Sequence, residues 1–326
     1  MSLFASGIAS AADWIVPLKY AAAASVLALG LVPSAQAAPT NPWEIVEYPR
    51  PGRLSADAER SGEQAWFVPV GKDAQGVDIL LPTRVLVPSG PGPFPLAIVS
   101  HGSPANAAAR KTMAPPEYRA GADWLLSRGY MVVLPLRRGY GPRGGVWAEA
   151  YGPCSKPDYV GGGLATADDI QNVARYFAGL DTVRADDILL VGQSAGGWGS
   201  LAAASRSPTG VRAVINFAGG RGGYAGGKPN QNCSPDSLID AAATFGRSSK
   251  VPTLWIYTRN DRFFDSTLTS RMAQAYRSAG GDAEYHLLDS FGEDGHRLFP
   301  TAEGRAFWQP HADRFLDRLA GPGAKP

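Results

Sequence analysis

The sequence contains few of the residues that build metal and redox sites. Only two of its 326 residues are cysteine and four are histidine, and two cysteines argue against a structural zinc site. Lysine and arginine total 31 against 29 acidic residues, which gives a formal net charge of +2. No dense basic run is present, so the charge pattern indicates neither a nucleic-acid partner nor an anionic membrane surface.

Nucleotide-binding signatures are also missing. The glycine-rich stretch at residues 218–227 has neither a Gly-Lys-Ser/Thr ending nor a Gly-x-Gly-x-x-Gly fingerprint, so we interpret it as a flexible loop. Hydrophobic residues make up 44% of the chain and charged residues 18%. This composition is typical of a globular protein that can bury a large core.

Apolar runs long enough to span a bilayer are absent, but a shorter one lies near the N-terminus. Lys19 precedes an apolar stretch at residues 20–32, and Ala35-Gln36-Ala37 follows. This is the arrangement of a signal peptide with an Ala-x-Ala cleavage site. Cleavage after Ala37 would leave 326 − 37 = 289 residues; a short uncleaved anchor is the alternative. Both predict a protein outside the cytoplasm, either periplasmic or extracellular.

Export changes the interpretation of the two cysteines. Cys154 and Cys233 both lie in loop-like sequence, and an even number of cysteines in an oxidising compartment favours one disulfide. Two free thiols are the alternative. The bridge would join two loops near the mouth of a pocket and stiffen it.

An apolar run beginning at Ile188 leads into Gly192, Ser194 and Gly196, and a segment of small residues with helical character follows. A Gly-x-Ser-x-Gly motif between a strand and a helix is typical of a nucleophile elbow. Ser194 is the predicted nucleophile, and the N–H of Ala195 at the helix N-terminus is a predicted oxyanion donor. A simple glycine-rich turn is the alternative.

Strands and helices alternate along most of the chain. Buried strands are predicted at residues 96–100, 130–136, 211–217, 253–257 and 283–288, and antiparallel strands at 45–48, 65–70, 77–81 and 83–87. Helices are predicted at 117–128 and after Thr166 and Asp265, with Asp168 and Asp169 in the first turn of the second. The predicted fold class is α/β, with a mostly parallel central sheet, antiparallel N-terminal strands and helices on both faces.

Loops after the parallel strands should meet at one edge of the sheet, where ligands bind. His101 and Gly102 end the first buried strand, and the N–H of Ser103 is the predicted second oxyanion donor. We assign His101 a structural role rather than that of the base. Arg138 and Tyr140 follow the next strand and are predicted to bind substrate, with rim insertions at about 142–165 and 219–250.

The acid and the base are predicted from their positions after later strands. Asp261 comes directly after the strand at 253–257, where it could orient a histidine. Asp265 is the alternative, but its position is more typical of a helix cap. His296 follows the last strand, whereas His286 lies within it and His311 belongs to a C-terminal helix. His296 is therefore the predicted base.

The order serine, acid, histidine, with gaps of 261 − 194 = 67 and 296 − 261 = 35 residues, is that of the α/β-hydrolases. The chain resembles the dienelactone-hydrolase and prolyl-oligopeptidase-like group over roughly residues 65–319. The motifs that carry the resemblance are His101-Gly102, Arg138-Gly139-Tyr140-Gly141, Gly192-Gln193-Ser194-Ala195-Gly196-Gly197, Asn260-Asp261 and Gly295-His296. The resemblance implies the α/β-hydrolase fold, a serine nucleophile and no cofactor. We also predict a single domain at residues 38–326 and no metal site.

Two departures narrow this resemblance. Dienelactone hydrolases use a cysteine nucleophile where this chain has Ser194, and no repeat of propeller-blade length precedes residue 96. We therefore predict a secreted carboxylesterase that works through an acyl-enzyme. The alternatives are a serine peptidase acting on short peptides and a non-catalytic binding protein. The expected partner is a small-molecule ester or peptide, with no stable membrane insertion once the signal peptide is removed; the sequence predicts no oligomeric state.

Overall fold

A mixed sheet of nine strands runs through the part of the chain that the computed structural model describes, namely Trp43 and residues 50–54, 62–104 and 106–320. The strands are β1 (Gly52–Arg53), β2 (Glu63–Lys72), β3 (Asp78–Leu86), β4 (Phe94–Ser100), β5 (Met131–Pro135), β6 (Val183–Gln193), β7 (Val211–Phe217), β8 (Thr253–Thr258) and β9 (Ala283–Leu288). Their order across the sheet is β1-β2-β3-β5-β4-β6-β7-β8-β9. The predicted signal peptide and the strand at 45–48 lie outside the described residues.

The sheet is antiparallel at its first edge and parallel elsewhere. β1, β2 and β3 pair antiparallel, and β3 pairs antiparallel with β5, while β5, β4, β6, β7, β8 and β9 run parallel. The parallel strands are nearly continuous apolar runs because helices cover both faces. The predicted fold class is confirmed, and the parallel strands bring the loops behind them to one edge.

Seven α-helices lie in the described residues, and all but the first, which buries no residue, cover the two faces of the sheet. They are α1 (Ala107–Lys111), α2 (Arg119–Ser127), α3 (Tyr159–Ala178), α4 (Ala195–Ala204), α5 (Pro235–Ser248), α6 (Ser266–Ser278) and α7 (Ala302–Ala320). α2 and α7 pack on one face around Trp124 and Trp308. α3 to α6 cover the other face around Trp198, Phe245 and Tyr276. Within the described range, no helix is both long and apolar enough to cross a membrane.

The structure corrects the predicted start of α3. This helix begins at Tyr159, seven residues before Thr166, and the side chain of Asp158 caps it by accepting the N–H of Gly161 at 2.7 Å. The glycines that suggest a loop allow close packing instead: a Cβ on Gly163 would lie 2.9 Å from Nε1 of Trp198 in α4. Asp168 and Asp169 are therefore in the middle of α3 rather than in its first turn.

Two further predictions are corrected at element boundaries. The strands predicted at 77–81 and 83–87 are one strand, β3, because Pro82 stays in the ladder and its carbonyl accepts the N–H of Leu136 at 2.9 Å. The second rim insertion, at 219–250, contains the unpredicted helix α5. In α5, Leu238 and Phe245 are buried, and the ring of Phe245 packs on Trp198 of α4 with 5.0 Å between centroids.

Candidate active site

Ser194 occupies the sharp turn between β6 and α4. Its φ and ψ are 55° and −121°, a strained conformation for a residue other than glycine. The flanking glycines make the turn possible: a Cβ on Gly192 would lie 2.3 Å from the carbonyl oxygen of Gly196, and one on Gly196 would lie 2.0 Å from that of Ser100. The N–H of Ser194 donates to Phe217 O at 2.9 Å, which ties the turn to β7.

Asp261 and His296 form a buried pair at the same edge of the sheet. His296 Nδ1 lies 3.0 Å from Asp261 Oδ2 and 3.1 Å from Oδ1. The carboxylate is itself fixed, because Oδ1 accepts the N–H groups of Phe263 and Phe264 at 2.8 and 3.0 Å. The ring of Phe263 stacks on the imidazole with 4.1 Å between centroids. When Nδ1–H donates to Asp261, Nε2 remains as the basic nitrogen.

Gln193 connects the turn that carries Ser194 to the loop that carries His296. Its side-chain amide Nε2 donates to the carbonyl oxygen of His296 at 3.1 Å. Among the described residues there is no direct hydrogen bond between the Ser194 hydroxyl and the His296 ring. Hydrogen bonds between catalytic groups are often long in unliganded enzymes and tighten when substrate binds.

The two predicted oxyanion donors line one pocket together with Ser194. The pocket has a volume of about 250 Å³, and both Ser103 and Ala195 lie in its wall. Ala195 is the first residue of α4, so its N–H has no partner inside the helix. In the described part of the chain, no protein acceptor takes the N–H of Ser103 or Ala195. Both groups are therefore available to a ligand.

His101 is buried and neutral. Its Nδ1 lies 2.7 Å from Gly102 O, and Nε2 accepts the N–H of Arg137 at 3.2 Å, so Nδ1 carries the proton. Burial, assisted by the charge of Arg137, lowers the pKa of His101 to about 3. Both nitrogens are used inside the protein, which agrees with a structural role and not with that of the base.

A buried ionic cluster lies beside the pocket. Arg137 and Arg221 both bind the carboxylate of Glu149, whose side chain is fully buried. Burial opposes the charge on Glu149, but the two guanidinium groups outweigh it and hold its pKa below the usual range. Arg221 also donates to Thr166 Oγ1 at 2.7 Å. The cluster holds two positive charges against one negative charge.

The structure does not bring the two predicted substrate-binding residues into the pocket. Tyr140 is buried, and its hydroxyl donates to Glu149 Oε2 at 2.8 Å. Arg138 pairs with Asp169, and burial raises the pKa of Asp169 to about 6 against the opposing effect of Arg138. Both residues follow the predicted strand. The side chain of Tyr140 is hydrogen-bonded within the ionic cluster, however, and that of Arg138 is paired with Asp169 of α3.

Other residues form the pocket wall instead. The aromatic lining residues are Trp147, Tyr151, Tyr224, Phe263 and Phe264, and the charged ones are Arg110 and Arg221. Arg110 lies over the ring of Trp147 at 3.9 Å from its centroid. No carboxylate lines this pocket in the part of the chain that the structure describes. Most of these residues come from loops whose course sequence patterns do not show.

A disulfide between Cys154 and Cys233 closes the rim of the pocket. It joins the loop after β5 to the loop after β7, and Cys233 itself lines the pocket. Two hydrogen bonds support the junction: the hydroxyl of Tyr159 donates to Cys233 O, and Ser234 Oγ donates to Cys154 O at 3.1 Å. The pairing that the sequence suggests is present in the structure.

Comparison with known proteins extends the description of the site. The model of the prolyl oligopeptidase family matches residues 116–219. A putative dienelactone hydrolase from Klebsiella pneumoniae subsp. pneumoniae MGH 78578 is 20% identical, with a TM-score of 0.51 over 79% of this chain and 97% of that one. Esterase 2 of Thermogutta terrifontis, with propionate bound, is 17% identical, with a TM-score of 0.54 over 84% of this chain and 100% of that one. The chain has the α/β-hydrolase fold.

Peptidases with this fold are similar over only part of their length. An acylaminoacyl peptidase is 15% identical with a TM-score of 0.57; the match covers 82% of this chain and 43% of the peptidase. No curated protein matches the sequence. The predicted resemblance to the dienelactone-hydrolase and prolyl-oligopeptidase-like group is confirmed at the level of the fold.

Proposed function

We propose that this α/β-hydrolase is a serine hydrolase that cleaves carboxylic esters through an acyl-enzyme. The observation that carries the proposal is the His296–Asp261 pair held at the same sheet edge as the strained turn of Ser194. A serine at the N-terminus of a helix, with a histidine oriented by a buried acid, is the arrangement that activates a hydroxyl for attack.

In the proposed reaction, Nε2 of His296 takes the proton of Ser194 as Oγ attacks the ester carbonyl. Asp261 keeps Nδ1–H oriented and stabilises the imidazolium. The N–H groups of Ala195 and Ser103 donate to the oxyanion of the tetrahedral intermediate. His296 then protonates the leaving alcohol and activates a water molecule, which releases the acid and restores Ser194.

Two features support an ester rather than a peptide substrate. The chain matches the complete Thermogutta esterase but less than half of the acylaminoacyl peptidase. The pocket is also small, and five aromatic side chains line part of it, which suits the apolar part of a small ester. The match of residues 116–219 to the prolyl oligopeptidase family supports the second candidate, a serine peptidase acting on short peptides.

The same proposal places the protein outside the cytoplasm. The disulfide between Cys154 and Cys233 supports an oxidising compartment. We propose that residues 1–37 direct export and are removed, and that residues 38–326 act as the mature hydrolase. N-terminal sequencing of protein exported from a bacterial host tests this directly, since a mature chain beginning at Ala38 is expected.

The central test compares ester and amide hydrolysis in wild-type protein and Ser194→Ala. The substrates are p-nitrophenyl acetate and butyrate beside a panel of aminoacyl p-nitroanilides. Ser200→Ala is the matched control, because it removes a buried serine hydroxyl from α4, the helix that begins directly after Ser194; this hydroxyl donates to Gly196 O at 2.9 Å. We expect ester turnover to fall roughly 10⁴-fold or more in Ser194→Ala only.

The other outcomes decide between the candidates. Anilide cleavage that depends on Ser194 would assign the peptidase instead. Equal ester turnover in wild-type protein and Ser194→Ala would rule out the serine mechanism altogether.

A further inference from the structure

Gln193, the last residue of β6, contacts two different loops through the two ends of its side-chain amide. Its Nε2 donates to the carbonyl oxygen of His296 at 3.1 Å. Its Oε1 accepts the hydroxyl of Tyr118 at 3.1 Å. The residue is 8% exposed, so these two contacts hold it in a closed environment beside Ser194.

Tyr118 continues this connection to the loop after β4. Its hydroxyl accepts the N–H of Gly102 at 3.0 Å while it donates to Gln193. Burial raises the pKa of Tyr118 to about 12, so the hydroxyl keeps its proton and can serve both partners. The backbone of Tyr118 is left-handed, with φ of 38°, and its ring packs on Phe299 at 5.2 Å. A strained residue fixed in this way indicates a constrained position.

The Tyr118 hydrogen bond fixes the peptide unit before Gly102, and a second set of contacts fixes the one after it. In the first unit, the His101 carbonyl accepts Nη1 of Arg137 at 2.6 Å while the Gly102 N–H goes to Tyr118. In the second unit, the Gly102 carbonyl faces His101 Nδ1. The carbonyl and N–H of a trans peptide point in opposite directions, so the Ser103 N–H is turned away from His101.

Space beside Gln193 is also restricted. A Cβ on Gly102 would lie 2.4 Å from Gln193 Oε1 and 3.3 Å from the Cβ of Ser194. Gly102 therefore allows the oxyanion loop to approach the nucleophile strand closely. It also removes the side chain that would otherwise restrict the loop, because glycine is conformationally free. The loop consequently depends on hydrogen bonds for its orientation.

We propose that Gln193 and Tyr118 are positioning residues, which hold the Ser103 oxyanion N–H and the His296 loop in fixed relation to Ser194. Tyr118 holds the loop that carries Gly102 and Ser103. The Gln193 amide joins Tyr118 to the loop that carries His296. Neither side chain needs to touch substrate. The inference rests on the proposed serine hydrolase function and adds the means by which two separate loops are aligned on one strand.

The test uses two variants of the full-length protein, each of which removes a different one of these hydrogen bonds. Tyr118→Phe removes the hydroxyl and keeps the ring on Phe299. Gln193→Glu keeps an acceptor for Tyr118 and removes the donor to His296 O. The matched control is Tyr285→Phe, which removes a tyrosine hydroxyl hydrogen-bonded to Thr269 at 2.9 Å, away from the pocket. The measurements are kcat and KM for p-nitrophenyl butyrate, the Ki of an arylboronic acid, and Tm.

We expect Tyr118→Phe to lower kcat by about 10- to 100-fold with little change in KM, since its effect reaches the oxyanion donor. The boronic acid forms a tetrahedral adduct with the serine, so its Ki should rise by the same factor as kcat/KM falls. Gln193→Glu should also lower kcat. The double variant should lose less than the product of the two single losses, because the residues act as one unit.

The inference is overturned if Tyr118→Phe keeps the kcat and boronic acid Ki of Tyr285→Phe, or if its losses only follow a fall in Tm that the control shares. If the loss of kcat in the double variant equals the product of the two single losses, Tyr118 and Gln193 do not act as one unit. Failure of the proposed function looks different, because wild-type protein would then show no ester hydrolysis dependent on Ser194, whatever the state of Tyr118.

Discussion

Asp261 and His296 meet with 3.0 Å between Oδ2 and Nδ1, and the aspartate side chain is completely buried. This contact orients the imidazole and leaves Nε2 free to act as the proposed base. Asp261→Asn should therefore lower kcat for p-nitrophenyl butyrate by about 10⁴-fold, because an amide favours the wrong tautomer of the histidine. Steady-state kinetics at saturating ester checks this.

Asp265 supplies the matched control for that measurement. Its carboxylate caps α6 by accepting the N–H groups of Thr267 and Leu268. Asp265→Asn should leave kcat within a few-fold of wild type and change the free energy of unfolding by no more than about 1 kcal/mol. A large loss of kcat in Asp265→Asn with normal turnover in Asp261→Asn would reverse the assignment of the acid.

Arg221 should give the pocket a preference for substrates that carry a negative charge. Its Nε is buried without a hydrogen-bond partner among the described residues, and no carboxylate of that part of the chain lines the pocket. We expect a mono-p-nitrophenyl ester of glutaric acid to exceed p-nitrophenyl valerate in kcat/KM by about tenfold, since hydrogen bonds to charged groups are the stronger ones. Arg221→Gln should remove the preference.

Arg206→Gln is the control for charge alone, because Arg206 is exposed and pairs with Asp168 on the surface. It should keep the wild-type ratio of the two kcat/KM values. Equal kcat/KM for both esters in wild-type protein would contradict the expected preference.

Glu149 should be among the most sensitive positions for stability. Its buried carboxylate is shared by Arg137 and Arg221. Glu149→Gln removes the only negative charge of this ionic cluster, so the buried guanidinium groups of Arg137 and Arg221 repel each other without a counter-ion. The free energy of unfolding should fall by about 3–5 kcal/mol. Urea denaturation measures this cost. Asp236→Asn, at an exposed pair with Arg271, should change the free energy by no more than about 1 kcal/mol.

His101 should make the protein less stable in mild acid. Burial lowers the pKa of His101 to about 3 in the folded protein, against an ordinary value of 6.5, so only the unfolded chain takes up the proton as pH falls below about 6.5. The contribution is present above that pH and is lost progressively toward pH 3, reaching about 2 kcal/mol at pH 5. The difference in unfolding free energy between pH 7 and pH 5 should be smaller in His101→Gln.

The control for this pH dependence is His286→Gln, which removes an imidazole that is only partly buried. The prediction fails if His101→Gln keeps the full wild-type loss of stability between pH 7 and pH 5.

The disulfide should contribute substantially to stability because it spans 79 residues of sequence. On the chain-entropy model a loop of this length corresponds to about 4–5 kcal/mol. Adding dithiothreitol should therefore lower the midpoint of urea unfolding of wild-type protein. The variant Cys154→Ser/Cys233→Ser should unfold at the lower midpoint with or without the reductant. An unchanged wild-type midpoint would show that the bridge does not restrict the unfolded chain.

Local pattern was sufficient to predict much of the fold and the main elements of the site. The apolar run before Gly192 and the small residues after Gly196 predicted β6, the turn and α4, and the structure has them. The same reasoning identified the strands that precede Asp261 and His296. These features depend on backbone sterics and on the spacing of apolar residues along the chain. Both are local, so a short stretch of sequence is enough to predict them.

The errors came where local pattern and packing disagree. Gly161, Gly162 and Gly163 suggested a loop, yet they lie inside α3, since glycine lets that helix approach Trp198 and Phe245. Tyr140 and Arg138 follow the predicted strand at the expected edge of the sheet. Their side chains bind the buried carboxylates of Glu149 and Asp169 instead of facing the pocket. Glu149, Tyr118 and Phe263 gave no signal, because their partners are distant in sequence or are shared with other loops.

The sequence by itself therefore determined the order of most strands and helices, the strained serine turn and the order of Ser194, Asp261 and His296 along the chain. Only the tertiary structure decided which side chains face the pocket, which carboxylates neutralise buried arginines and how Gln193 joins two loops. The reason is physical: backbone preference and hydrophobic period act between near neighbours. The pairing of buried polar groups is set by whichever partners the folded chain brings within hydrogen-bond distance.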